Sequence, residues 1–147
     1  LMVICQPGHP LSGEASLEAI DLMGYPFITR DPGNAIRELA EKFFESAGIS
    51  MDQLIICAEI GSLATVKYLA SCGLGYGIAS RAAIQRDLRE GRLAAIPLEP
   101  RLYTPLEVII PKDKFRSRLI ATFADHVVEV LGRMAEEIDP SNESVAD

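Results

Sequence analysis

The chain has 147 residues, 48% hydrophobic and 24% charged, the balance of a globular protein of one or two small domains. Its formal net charge is −7, and its basic residues are scattered, with Arg86, Arg89 and Arg92 interleaved with Asp87 and Glu90; a duplex-binding surface needs clustered Lys and Arg to displace phosphate counterions, so this piece is not one. No apolar run is long enough to span a bilayer, and Leu1–Ile4 lacks the basic flank and small-residue site of a secretion signal.

The predicted elements alternate between strand and helix. Leu1–Cys5 is a short apolar run that reads as a buried strand, and its abrupt start without Met reads as a cut from a longer protein. Gln6–Gly13, with two prolines and two glycines, is a loop. Ser16–Ile20 is a short helix capped by Ser16, and Pro26–Thr29 is a strand. A helix opens after Asp31-Pro32-Gly33-Asn34, capped by Asp31 with Pro32 in its first turn or by Asn34. Ile36, Leu39, Ala40, Phe43 and Ala47 then recur at helical spacing until Gly48.

Leu54–Ala58 is the next strand, followed by a helix capped by Ser62 with Leu63, Val66, Leu69 and Ala70 inward and Gly73 at its end. Tyr76–Ala79 is a short buried strand, and a helix capped by Ser80 runs to Glu90, with Gly91 as its stop. Leu93–Leu98 and Leu106–Ile110 are strands, and a long helix starts near Ser117. Its apolar stripe is Ile120, Phe123, Val127, Leu131, Met134 and Ile138. The polar, acidic stretch 139–147 is expected to be a disordered tail.

This order implies the α/β class, with a mostly parallel sheet flanked by helices on both faces. Ligands of such sheets bind beyond the carboxyl ends of the strands, where helices begin. Two corners meet that description: Arg30–Asn34 and Glu59–Ser62. Each presents unpaired N–H groups at the positive end of a helix. Gly33 and Gly61 permit close approach to the backbone, Thr29, Asn34 and Ser62 carry neutral donors, and Arg30 carries a cationic fork. The residues by themselves leave two readings open: a socket for a small polar or anionic molecule, or ordinary capping in which Asn34 and Ser62 serve only their own helices.

Other candidates point to structure. Gly73-x-Gly75-x-Gly77 follows a helix and leads into a strand, the reverse of a dinucleotide-binding context, so it reads as a helix stop and a tight turn. His9 and His126 have no Cys or carboxylate at ligand spacing. Cys5, Cys57 and Cys72 are odd in number and widely spaced, which fits free buried thiols in a reducing cytoplasm rather than a disulfide framework or a zinc site. Catalytic residues, metal ligands and cofactors are not expected.

Several segments resemble the effector-binding domain of LysR-type transcription regulators. His9-Pro10-Leu11 after an opening strand is similar to the passage into that domain's second lobe. Phe27-Ile28-Thr29-Arg30 before Gly33-Asn34 is similar to its aromatic-Ile-x-Arg and Gly-Ser pattern. Glu59-Ile60-Gly61-Ser62, Val66-Lys67-x-Leu69 and Gly73-Leu74-Gly75-Tyr76-Gly77-Ile78-Ala79 resemble its most recognisable stretch. Leu88-x-x-Gly91-Arg92-Leu93 and Ile96-Pro97-Leu98 resemble the helix and strand after it. The family usually has Ser or Thr where Asn34 stands, and frequently Leu-Pro in place of Ser80-Arg81.

The resemblance implies a two-lobed fold like that of type II periplasmic binding proteins, with a small-molecule effector in the cleft between lobes. Residues 1–100 would be the second lobe; residues 101–138 would be a crossing strand and terminal helix belonging to the first. It favours ligand binding at the corners, with effector contacts at Thr29, Arg30, Asp31, Pro32, Gly33, Asn34, Gly61, Ser62, Ile78 and Ala79. It also implies a cytoplasmic regulator that is a dimer or tetramer when whole and reaches DNA only through an N-terminal helix-turn-helix absent from this chain. The stripe on the last helix, with Val108 and Ile110, lacks a first-lobe partner here, so the piece itself is expected to form a dimer. A solute-binding protein of a transporter is the alternative, separated by whether a secretion signal or a helix-turn-helix lies upstream. A small α/β enzyme is the third reading, and it requires a nucleophile and a base within hydrogen-bond reach.

Overall fold

The computed structural model of the chain describes residues 1–104, 109 and 118–138. The chain divides into two units, Leu1–Thr104 and Pro105–Asp147. In the first, strands β1 (Met2–Cys5), β2 (Pro26–Arg30), β3 (Ile55–Ile60), β4 (Tyr76–Ala79) and β5 (Ala94–Pro97) form one sheet in the order β3-β2-β4-β1-β5. Helices α1 (Ala19–Leu22), α2 (Ala35–Ser46), α3 (Leu63–Ser71) and α4 (Arg81–Arg89) connect them.

β2 pairs in parallel with both β3 and β4, whereas β1 lies antiparallel between β4 and β5. Four strands therefore share one direction and β1 runs against them. Strands covered on both faces read as continuous apolar runs in either direction, so composition did not reveal that reversal.

Alternate strand residues build two cores. Val3, Cys5, Phe27, Tyr76 and Ile78 pack with Ala19 and Leu22 of α1 and Ala40, Phe43 and Phe44 of α2. Ile4, Ile28 and Ala79 pack on the other face with Val66 and Ala70 of α3 and Ile84 of α4. Phe44, fully buried, belongs to the inner face of α2, while Ala47 is exposed as its cap. Gly48 at φ 74° then turns the chain, and the Ile49 amide reaches back to the Phe44 carbonyl at 2.9 Å.

The first short helix begins at Ala19, not at Ser16. Leu17 forms an isolated parallel bridge to Leu98, with its N–H donating to Pro97 and its carbonyl accepting from Glu99. The backbone there is committed to the end of β5, so helix can start only beyond it. Asp21 accepts from the Glu18 amide at 2.8 Å and closes the first turn.

Burial of the three thiols also differs from expectation: Cys5 is buried, but Cys57 and Cys72 are exposed. β3 is an edge strand, and its register against β2 passes from Phe27↔Ile56 to Ile28↔Ala58, skipping Cys57 in a bulge. The Cys57 thiol turns outward and donates to the Phe27 carbonyl at 3.4 Å.

Each glycine of the 73–77 run has a packing reason. Gly73 has φ +80°, as a helix stop requires. A Cβ on Gly75 would lie 2.2 Å from the Pro26 carbonyl oxygen, and one on Gly77 would lie 2.8 Å from Val66 Cγ1. The run lets β4 close against β2 and α3.

In the second unit, α5 (Arg118–Ile138) is described by itself. Of the strand expected at Leu106–Ile110 only Ile109 is described, and it is not in a strand. The 139–147 tail lies outside the described residues. No helix among the described residues is long and apolar enough to cross a membrane.

A charged cluster ties α3 to α4. Lys67 Nζ donates to Asp87 Oδ2 at 2.7 Å and to the Ala83 carbonyl at 3.1 Å, and Arg92 Nη2 donates to Asp87 Oδ1 at 2.9 Å. The hydrogen bond from Lys67 and that from Arg92 hold the Asp87 carboxyl below its usual range against the opposing effect of burial. A carboxyl with a lowered folded-state pKa contributes stability that is present above its unfolded pKa and lost as pH falls through the folded one. Asp87→Asn is therefore expected to cost roughly 2 kcal/mol at neutral pH. In denaturant titrations at several pH values the gap to the parent chain should close below about pH 4, and a gap independent of pH would contradict this assignment.

Candidate functional site

The parallel pairing of β2 with β3 places the two helix-opening corners side by side. Thr29 pairs with Glu59 and Arg30 with Ile60, so residues 31–34 and 61–62 leave the sheet together at its carboxyl edge. At the first corner Gly33 adopts φ +81°, and the Asn34 amide donates to the Asp31 carbonyl at 3.3 Å. Asn34, not Asp31, caps α2, its Oδ1 accepting from the Ile36 amide at 3.0 Å. That bond leaves the Asn34 side-chain nitrogen outside the cap. At the second corner Ser62 Oγ accepts from the Thr65 amide at a long 3.4 Å, which leaves its own proton to donate elsewhere.

Thr29 is the most informative residue of the group. It is 2% exposed, and Thr29 Oγ1 has no hydrogen-bond partner among the described residues. A buried hydroxyl without a partner costs roughly 1–3 kcal/mol. It lines a recess of about 10 Å³, room for a single water-sized group. Phe27 and Ile78 form part of the recess from the sheet, and Ile36, Arg37 and Ala40 close it from α2. A small polar group could enter this recess; a whole metabolite would lie above it.

The Tyr76 hydroxyl is likewise buried with no partner among the described residues. Its ring stacks on Phe27 at 4.8 Å, and burial pushes its pKa up. Tyr76 does not line the recess.

The charged groups of the site are already engaged. Arg30 Nε donates to the Ile60 carbonyl at 3.1 Å and Nη2 to the Gly61 carbonyl at 2.6 Å. Asp31 Oδ1 stands 3.9 Å from Arg30 Nε. Arg37 joins Glu41 and Glu59 at 2.8 Å each and the Arg30 carbonyl at 3.0 Å. Its bonds to Glu41 and Glu59 raise its pKa further. The cationic fork expected at Arg30 is thus turned onto backbone carbonyls, and the carboxylates of Asp31 and Glu59 are half exposed at the same corner.

Other expected positions divide. Pro32 and Gly33 lie exposed at the first corner, and Gly61 lies beside Asp31. Ile78 lines the recess, but Ala79 belongs to the core on the opposite face, so the two do not act together there. Sequence reasoning passes over Arg37, because its spacing to Glu41 is that of an ordinary surface pair one turn apart. Its signal was its place between Ile36 and Ala40, on the turn that packs over the sheet.

His9 is buried, and its Nδ1 accepts from the Leu11 amide at 3.2 Å, which makes it a cap of the 3-10 turn Pro10–Gly13. No group of three or more potential metal ligands occurs among the described residues.

Comparison with known proteins places these features in context. The family model described as the LysR substrate binding domain matches residues 1–132. A RuBisCO operon transcriptional regulator of Acidithiobacillus ferrooxidans is 36% identical over 134 residues, covering 85% of this chain and 42% of that protein. The chain thus spans about two fifths of that relative's length. The CcmR regulatory domain of Synechocystis PCC6803, in complex with 2-PG, matches 88% of this chain and 61% of its own, with TM-score 0.70 and 20% identity. The effector-binding domain of QuiR, in complex with shikimate, matches 88% and 59% respectively, with TM-score 0.65 and 17% identity. These matches fit the regulator reading and not the transporter alternative.

Thr29→Val keeps the shape of the side chain and removes a polar group that has no partner. Stability should rise by about 1 kcal/mol, read as a higher denaturation midpoint at unchanged slope; a loss of stability would show that the hydroxyl is satisfied in solution.

Proposed function

The chain belongs to the LysR substrate-binding domain family, and from that premise we propose that it is the ligand-sensing part of a transcription regulator that holds a small polar or anionic effector against the paired corners. The observation that carries this reading is the Thr29 hydroxyl, buried and unpartnered in a recess beside the start of α2. Folding retains such a cost where a ligand later supplies the missing bond.

In this reading Thr29 exchanges a hydrogen bond with the effector, and the side chains of Asn34 and Ser62 donate alongside it. First-turn amides of α2 and α3 aim two positive helix ends at the same place. Ile78 and Phe27 form the apolar floor. The effector acts by binding one arrangement of the whole protein better than another, since only differential affinity moves such an equilibrium. The role is binding and not catalysis, and the whole protein would be cytoplasmic. Contact with DNA belongs to parts of the whole regulator other than this chain. Relatives named transcriptional regulators and the small molecules held by the two similar domains support the reading.

The same reading gives the chain a second copy as partner. On α5, Phe123 and Met134 of the expected stripe share one face and are exposed at 67% and 48%. An apolar area of that kind tends to find a second surface.

Two measurements test these proposals. Thr29→Val should weaken effector binding about tenfold in calorimetric titrations with candidates that include 2-PG and shikimate. Equal affinity of the variant and the parent for a candidate that binds would remove Thr29 from the site. Light scattering at tens of micromolar, a concentration where moderate self-association is visible, should report a dimer, and a monomer would refute the self-association.

A further inference from the structure

Arg30 carries the one cationic fork that the sequence offers at the corner, yet its bonds run along the sheet edge to the neighbouring strand. It joins two successive carbonyls, Ile60 and Gly61, at the point where β3 ends and the chain turns into α3. Its side chain is 13% exposed. Arg37 makes the reciprocal link: from the first turn of α2 it bonds the Arg30 carbonyl and the Glu59 carboxylate. The two guanidinium groups thus lace the last residue of β2, the last residues of β3 and the start of α2 into one unit. Guanidinium suits this task because its rigid fork can meet two acceptors at once, whereas a lysine ammonium is a point charge on a flexible stem.

We propose that Arg30 is a positioning residue and not a ligand contact: its two-pronged bond to the Ile60 and Gly61 carbonyls holds the start of α3 at a fixed place beside the start of α2. The inference rests on the reading of the paired corners as an effector wall. It narrows the chemistry of that wall. With Arg30 and Arg37 engaged and Asp31 and Glu59 nearby, the donors left to a ligand are neutral: the Thr29 hydroxyl, the side chains of Asn34 and Ser62, and helix-start amides. The part of the effector that meets this wall is a hydroxyl, carbonyl or phosphoryl oxygen held by neutral donors, with no guanidinium pair.

The test compares Arg30→Lys and Arg30→Gln with the full chain by amide hydrogen exchange without ligand, and by titration with inorganic phosphate followed by amide chemical shifts. If Arg30 positions the corner, both variants raise exchange at the Thr65 and Val66 amides about tenfold. The Ile28 and Ile78 amides in the central strands keep their protection. Phosphate affinity then falls by a similar factor in both variants, although lysine retains the charge. If Arg30 binds the anion directly, Arg30→Lys keeps most of the affinity, Arg30→Gln loses it, and exchange at Thr65 and Val66 stays as in the parent; that pattern overturns the proposal. A uniform loss of protection across the sheet also overturns it, because Arg30 would then support the whole fold and not the corner. Should phosphate fail to bind even the parent chain, the effector-wall reading is weakened, and the exchange pattern decides the role of Arg30 separately.

Discussion

The parallel pairing of β2 with β3 is the constraint on which the site depends. Parallel neighbours deliver their carboxyl ends to the same edge of the sheet, and here each is followed directly by a helix. Two positive helix ends therefore lie together without any side chain bringing them there. Side chains refine the placement. Asn34 and Ser62 set the first turn of each helix, and Arg30 and Arg37 tie the turns to one another. An antiparallel β3 would have sent Gly61 and Ser62 to the far edge of the sheet, leaving each helix start alone.

Polar groups around this edge differ in whether the fold satisfies them. The buried or half-buried charges are paired: Asp87 with Lys67 and Arg92, and Arg37 with Glu41 and Glu59. Thr29 is the exception that opens onto a recess. Its neighbours on the same strand, Phe27 and Ile28, are packed in the two cores. The strand thus passes within a few residues from close-packed interior to a place where a small polar group can enter, the geometry that the proposed effector wall requires.

The glycine run after α3 illustrates how a suggestive motif resolves into packing. By spacing alone it resembles part of a dinucleotide-binding fingerprint. In the fold, Gly75 admits the Pro26 carbonyl and Gly77 admits the Val66 side chain, so the glycines serve contact between β4 and its neighbours. The order of elements, helix then glycines then strand, is the reverse of what dinucleotide binding needs; the contacts supply the reason the glycines are there.

Local rules made most of the secondary structure legible from the sequence alone. Helix caps, glycine stops and apolar spacing place helix starts within the 31–34 corner and after Ser62 and Ser80, and the order of elements marks the carboxyl ends of two strands as a candidate ligand edge. Those signals depend on residues within a turn or two of one another, and they survive without knowledge of the fold. The reversal of β1, the order β3-β2-β4-β1-β5, the late start of α1 and the outward turn of Cys57 were settled by tertiary pairing. So were the engagement of Arg30 and the isolation of the Thr29 hydroxyl. Each of these depends on which distant backbone lies alongside, and strands buried on both faces carry no mark in their own residues of which neighbour that will be.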